Sequence, residues 1–136
     1  MVRRKPPVKA GDEVVLEIEN YASEGEGVGR INGFTVFVPG ALVGEKVTAS
    51  IDVVKKTYAR AHLLDEGVRI ASPERIEPPC PLYLDCGGCQ LLHQSYEGQL
   101  TMKQQRVIDT LSRIGGITDI AVHPIIGMAN PWHYRN

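Results

Sequence analysis

Short runs of alternating apolar and polar residues, separated by turn signals, fill the first half of this 136-residue sequence. In the first run, Val14, Leu16 and Ile18 alternate with their neighbours as in a strand that buries one face. Asn32-Gly33 is a strong signal for a two-residue hairpin turn. The runs predict strands over 14–18, 27–31, 34–38, 46–54 and 58–64. This pattern predicts a mainly β fold with a five-stranded, OB-like closed barrel over residues 11–66.

The glycines in this half form a second pattern, Gly25-Glu-Gly-Val-Gly29. It imitates the glycine-rich loops that bind nucleotides or S-adenosylmethionine. Such loops work between a strand and the N-terminus of a helix. Here a further strand and a hairpin turn follow instead, so we interpret the glycines as part of a barrel strand and its bend.

The chain changes character after the barrel. Ser72-Pro73 and Pro78-Pro79 disfavour regular structure, so residues 67–79 are a predicted linker. A cysteine segment covers residues 80–94.

Residues 95–136 predict one helix and one strand, the opening of an incomplete α+β region. Ser95 is a suitable N-cap, and Gly115-Gly116 ends the helix. The β-branched run 117–126 predicts a strand that Pro124 interrupts. The apolar face of the helix is predicted to hold Leu100, Val107, Leu111 and Ile114.

Composition narrows the class of protein. Apolar residues make up 43% of the chain, enough to bury a core, which excludes a disordered chain. The formal net charge of -1 excludes a polycation that binds nucleic acid through its total charge alone. Locally, residues 1–10 are interpreted as a basic flexible tail. No run resembles a signal peptide or reaches the roughly 20 apolar residues of a membrane helix, so we expect a cytoplasmic protein without membrane contact.

The three cysteines are the most specific feature for chemistry. Cys80, Cys86 and Cys89 have the spacing C-x5-C-x2-C, and Gly87-Gly88 would permit the sharp turn that one metal centre requires. Clustered thiols in a reducing compartment indicate metal or redox chemistry more often than disulfides. Iron-sulfur clusters commonly use four thiolates, of which three are close in sequence. With His93 the same residues would make a Cys3His zinc site, and the residues alone leave both interpretations open.

A weaker pattern suggests contact with RNA. Lys56, Tyr58 and Arg60 would point to one face of a strand, where two cations flank a ring that can stack on a base. Lys55 and Lys46 lie nearby in the sequence. The alternative is an ordinary solvated surface, because the barrel region as a whole is neutral.

Several stretches resemble a known family. Residues 23–30, Ser-Glu-Gly-Glu-Gly-Val-Gly-Arg, and residues 37–45, Phe-Val-Pro-Gly-Ala-Leu-Val-Gly-Glu, resemble a TRAM domain, an OB-like RNA-binding barrel. The pattern Cys-Pro-x4-Cys-Gly-Gly-Cys-Gln-Leu over 80–91 resembles the entrance to the catalytic region of RNA (uracil-5-)-methyltransferases. The ending Pro-Trp-His-Tyr-Arg-Asn over 131–136 is similar to the same region.

The resemblance implies a 4Fe-4S cluster held by Cys80, Cys86 and Cys89, with a fourth ligand well downstream, and so favours a cluster over zinc. It implies that S-adenosyl-L-methionine methylates C5 of a flipped-out uridine after a catalytic cysteine adds to C6. The implied substrate is structured RNA, most often 23S ribosomal RNA, in rRNA processing. The implied full-length enzyme is a monomer.

On this interpretation the catalytic residues, the S-adenosylmethionine domain and the fourth cluster ligand lie beyond Asn136, in a protein of about 400 to 500 residues. The 136-residue chain is then inactive alone. A second hypothesis is a stand-alone RNA-binding module with structural zinc on Cys80, Cys86, Cys89 and His93. A third is that residues 95–136 bury their apolar faces only against elements outside the chain.

Overall fold

The computed structural model describes residues 5–86 and 89–133, except for the side chain of Leu84. The predictions for residues 1–4 of the basic tail, for Gly87-Gly88 and for residues 134–136 therefore lie outside the described residues. Within the described chain, residues up to Gln94 belong to one compact unit and those from Ser95 to a second.

The first unit is built on a six-stranded sheet in the order β1-β5-β6-β4-β3-β2. Its strands are β1 (Glu13–Glu17), β2 (Asn20–Tyr21), β3 (Gly27–Ile31), β4 (Phe34–Val38), β5 (Lys46–Val54) and β6 (Tyr58–Ile70). Neighbouring strands pair antiparallel except β4 and β6, which are parallel. The predicted mainly β, OB-like class is confirmed, with one short strand more than expected.

The sheet curls so that its two edges meet. β1 and β2 are the two edge strands, yet only two residues separate them along the chain. The N–H of Glu19, between them, donates to the carbonyl of Val28 in β3 at 2.8 Å. Strand alternation then directs apolar side chains inward. The fully or nearly fully buried core includes Leu16, Ile18, Val36, Val38, Val47, Ala49, Ile51, Ala59 and Ala61.

Two glycines of the sequence motif lie within β3 and face this core. A Cβ atom on Gly27 would lie 2.8 Å from the Cβ of Ala41, and one on Gly29 would lie 3.1 Å from the Cβ of Leu16. Glycine therefore lets β3 approach its neighbours where the sheet closes. The interpretation of this motif as a barrel strand is confirmed, since β3 runs into the Asn32-Gly33 turn and β4.

The last strand is longer than predicted. β6 continues to Ile70, where Val68 pairs with Val47 and Ile70 with Lys46, so the start of the predicted linker is strand. An irregularity in the pairing precedes this extension, and Gly67 lies there against the carbonyl of Thr48. Gly67 resembles a turn residue in the sequence but serves a bulge in the sheet.

The second unit contains one long helix. After the short helix α1 (Tyr83–Cys86) of the first unit, α2 spans Tyr96–Arg113. The hydroxyl of Ser95 accepts from the N–H of Gly98 at 3.1 Å, which confirms the predicted N-cap. At the other end, the N–H of Ile117 donates to the carbonyl of Leu111 at 2.8 Å. No described helix is both long enough and apolar enough to cross a membrane.

The predicted strand over 117–126 is wrong. The structure assigns neither helix nor strand to these residues, and their backbone pairs with no strand among the described residues. β-Branched composition favours a strand only where a partner strand is available, and Pro124 removes one backbone donor. The apolar helix face is also incompletely covered, since Val107 is 43% and Ile114 85% exposed.

Candidate functional site

The outward face of β3, β4 and β6 brings aromatic and cationic side chains together. Inward positions on these strands hold glycine, valine and alanine, so the alternating positions face solvent. Across the strands Phe37 lies opposite Arg60, while Thr35 lies opposite both Tyr58 and Arg30. We call the surface formed by Arg30, Phe37, Tyr58 and Arg60 the outer aromatic face.

Contacts within this face fix the relative position of its side chains. The rings of Phe37 and Tyr58 meet edge to face, with centroids 5.4 Å apart. The guanidinium carbon of Arg60 lies 5.6 Å from the centroid of Phe37, within cation–π range. The Arg60 Nη1 atom also donates to Glu26 Oε2 at 2.7 Å.

This arrangement has the chemistry of a nucleic-acid surface. Aromatic rings and guanidinium planes stack on nucleobases, and arginine also pairs with phosphate. The side chain of Arg60 remains 52% exposed and that of Arg30 59% exposed, so both cations are accessible. Three adjacent strands therefore present stacking and charge on one exposed surface.

The structure brings only part of the predicted RNA-binding set together. Tyr58 and Arg60 lie on the outer aromatic face, and Lys55 and Lys56 are exposed in the bend that leads into β6. Lys46 begins β5, about 26 Å along that strand from its end near Tyr58. Lys46 is thus the predicted residue that the fold sets apart.

Sequence reasoning missed Phe37 and Arg30. Phe37 alternates with the buried Val36 and Val38, which was a usable signal for an outward aromatic residue. Its pairing with Arg60 depends on the parallel contact between β4 and β6. No local pattern encodes that contact.

The cysteine segment offers three unpaired thiols around a short helix. Cys80 is partly buried, and Cys86 and Cys89 are exposed. Three thiols within ten residues fit an iron-sulfur cluster by the chemistry of the donor set. Among the described residues no three His, Cys, Asp or Glu side chains are already grouped to hold a metal ion. A bound cluster would therefore have to bring these thiols together.

His93 behaves differently from the cysteines, because its side chain is inside the unit with only 5% exposure. The Tyr83 hydroxyl donates to the carbonyl of Gln90 at 2.8 Å and lies 2.7 Å from Nδ1 of His93. In the tautomer whose Nδ1–H donates to this hydroxyl, Nε2 carries a lone pair. Nε2 has no hydrogen-bond partner among the described residues. Burial, with Arg75 nearby, lowers the pKa of His93 below its ordinary value.

A buried ion pair ties the segment after β6 to the barrel. Glu45, 1% exposed, accepts from the Leu42 N–H at 2.7 Å and from Arg75 Nε at 2.6 Å. It also accepts from the N–H of Ser72 at 3.2 Å. Burial alone would raise the pKa of Glu45, but these donors together, Arg75 foremost, hold it below the ordinary value of 4.5.

The connection continues into the cysteine segment. Arg75 forms a β-bridge with Gln94, and the N–H of Ile76 donates to the carbonyl of His93 at 3.0 Å. The Gln94 amide donates to Glu74 at 3.0 Å. The segment that carries the cysteines therefore belongs to the same compact unit as the barrel.

This chain is similar to one domain family and to several longer proteins. The family model of the TRAM domain matches residues 7–64. An uncharacterized RNA methyltransferase of Halalkalibacterium halodurans is 46% identical over all of this chain, which covers 29% of that protein. A similarly named protein of Clostridium tetani is 47% identical over 99% of this chain and is also covered to 29%.

One solved structure is also similar. A conserved protein of Methanococcus maripaludis shares 38% identity over 45% of this chain and 87% of its own, with a TM-score of 0.43. The chain spans less than a third of the length of the curated relatives it matches.

Proposed function

We propose that this chain is the RNA-docking and cluster-bearing segment of a longer enzyme. The TRAM family model matches residues 7–64, and the whole chain resembles part of proteins named RNA methyltransferases. The enzyme it serves is an S-adenosyl-L-methionine-dependent RNA (uracil-5-)-methyltransferase. Its proposed substrate is 23S ribosomal RNA. Methyl transfer itself is assigned to parts of the longer protein that this chain does not cover.

One observation carries the proposal. Identity to the two named RNA methyltransferases is 46% and 47% over 100% and 99% of the chain, which includes the cysteine segment and α2 beyond the TRAM match. Similarity confined to the barrel would fit many RNA-binding proteins. Similarity through the cysteine segment supports one shared arrangement of domains.

Within this function the barrel contributes RNA binding. The outer aromatic face supplies two rings for stacking and two exposed guanidinium groups for phosphate or base contact. The neighbouring Lys55 and Lys56 extend the positive charge. Electrostatic contacts of this kind weaken as salt concentration rises, so binding should be salt-dependent.

The cysteine segment contributes a metal centre. Cys80, Cys86 and Cys89 would hold three corners of a 4Fe-4S cluster, whose fourth ligand lies elsewhere in the longer protein. When bound, the cluster would supply a cross-link between distant parts of the chain. The Glu45–Arg75 pair and the bridge to Gln94 keep this segment on the barrel.

The test compares the isolated chain with the longer protein that contains it. Each is incubated anaerobically with S-adenosylmethionine and a 23S rRNA transcript, and methylated nucleosides are identified by mass spectrometry. We expect 5-methyluridine only with the longer protein, and salt-dependent RNA binding with both. Methyl transfer by the isolated chain, or modification at another atom of the base, would contradict the proposal.

Metal analysis separates the cluster from the zinc alternative. The observation that favours zinc is that His93 Nε2 is buried without a hydrogen-bond partner among the described residues, since neutral imidazole is a common zinc ligand. Iron and sulfide that disappear in Cys86→Ala and persist in His93→Ala would support the cluster. One zinc per chain that is lost in both variants would support a stand-alone zinc module instead.

A further inference from the structure

We infer that the outer aromatic face binds unpaired RNA nucleotides by stacking, and that Glu26 acts as a positioning residue that holds Arg60 against Phe37. This inference rests on the proposed RNA-binding function and adds the form of RNA that is recognised. It also assigns a role to Glu26, an acidic residue beside a surface that is proposed to bind the polyanion RNA.

The preference for unpaired nucleotides follows from the composition of the face. Phe37 and Tyr58 are partly exposed on adjacent strands and lie in edge contact with each other. These rings stabilise a complex with RNA only if a base leaves its own stack and stacks on them. A duplex keeps its bases stacked internally and would meet this face through phosphate alone. Single-stranded RNA can use both the rings and the guanidinium groups.

Glu26 is buried more than a surface carboxylate normally is. Its side chain is 12% exposed, whereas the side chain of its partner Arg60 is 52% exposed. A carboxylate beside an RNA-binding face should repel phosphate unless its charge is already compensated. The 2.7 Å contact to Arg60 Nη1 supplies that compensation.

The same contact restricts Arg60. Its guanidinium is held by Glu26 and by the ring of Phe37, 5.6 Å from the ring centroid. A flexible arginine loses rotamer freedom when it binds RNA, and an arginine held in advance loses less. Glu26 therefore increases affinity by ordering Arg60, although its charge alone would lower affinity.

The first experiment compares two RNA probes. Affinity of the 136-residue chain is measured by fluorescence anisotropy for an unstructured RNA oligonucleotide and for a blunt duplex of the same length, at equal salt. We expect about tenfold tighter binding of the single strand, and Tyr58→Ala should remove most of this preference. Equal or tighter binding of the duplex would overturn the stacking inference while leaving RNA binding intact.

The second experiment separates position from charge at Glu26. Glu26→Ala and Glu26→Gln remove the same charge, but glutamine can still accept from Arg60. We expect alanine to weaken single-strand binding several-fold and glutamine to retain most of it. Glu24→Ala, at an exposed acidic position in the same loop, is the control and should bind as tightly as the wild type or slightly more tightly.

The outcomes distinguish this inference from the function on which it rests. Tighter binding by both Glu26 variants would mean that the carboxylate only repels RNA, and the positioning role would be wrong. Absence of binding to both probes would contradict the proposed RNA-binding function itself. Equal melting temperatures of the variants exclude a loss of fold as the cause.

Discussion

Glu45 is a buried carboxylate that links the barrel to the segment after β6. It is a carboxylate with 1% exposure that meets Arg75 and the backbone of two separate loops. Burying a charge is costly unless every lone pair finds a donor. Here each carboxylate oxygen has at least two donors, since Arg75 also donates to Oε1 at 2.7 Å.

We therefore expect Glu45→Ala to lower the free energy of unfolding by about 3 kcal/mol or more, because it leaves Arg75 without its partner. Urea denaturation followed by circular dichroism measures the change. Glu24→Ala removes an exposed carboxylate and should change stability by less than about 0.5 kcal/mol. Similar small effects for both variants would show that the Glu45–Arg75 pair does not hold the unit together.

The depressed pKa of Glu45 also gives stability a pH dependence. Its ionised form is favoured in the folded state, so the stabilisation is complete above the ordinary value of 4.5 and is lost as pH falls through the lower folded pKa. Wild type and Glu45→Gln should therefore differ most near neutral pH and converge in acid. Unfolding free energies measured along a pH series test this, and a constant difference would contradict it.

At the scale of elements, the closure of the barrel depends on β3. Gly27 and Gly29 occupy inward positions where a side chain would meet Ala41 or Leu16. Gly27→Ala should destabilise the first unit by about 1–3 kcal/mol, because its Cβ would overlap both the Cβ and the carbonyl of Ala41. Thermal unfolding measures the loss. Val15→Ala, at a 51% exposed position of β1, is the control.

A Gly27→Ala variant as stable as Val15→Ala would mean that β3 can move away from Ala41 at little cost. The packing account of the glycine motif would then be wrong.

Elements differ in how far the sequence predicts them. Strands β3 and β4 and the Ser95 cap depend on local signals, such as the Asn32-Gly33 turn, and were predictable. The extension of β6 to Ile70 was not, because it depends on pairing with β5 around Gly67. The run 117–126 failed for the opposite reason, since strand composition has no effect without a partner strand.

The candidate site likewise combines residues that local sequence patterns predict with residues that only the tertiary structure brings in. Tyr58 and Arg60 were predictable from alternation along one strand. Phe37 and Glu26 join them only through the sheet and the loop before β3, across long separations in sequence. The cysteines were predictable from their spacing. The burial of His93 and its contact with Tyr83 are tertiary features that no spacing reveals.

At the scale of the whole molecule, the barrel and the cysteine segment form one compact unit up to Gln94, and α2 begins the second. The proposed RNA contact and the proposed metal centre therefore lie within a single compact unit. The apolar residues exposed after Ile114 include Ile117, Ile120 and Ile126, in the part of the chain that the relatives share.

The central claim is that the outer aromatic face binds RNA, and affinity measured over a salt series tests it most directly. The 136-residue chain, the double variant Phe37→Ala/Tyr58→Ala and the control Lys46→Ala are titrated with one 23S rRNA fragment. We expect the double variant to lose about 1–3 kcal/mol per stacked base with an unchanged salt slope, and Lys46→Ala to bind like the wild type. Binding that survives the double variant but weakens in Lys46→Ala would place RNA elsewhere and contradict the claim.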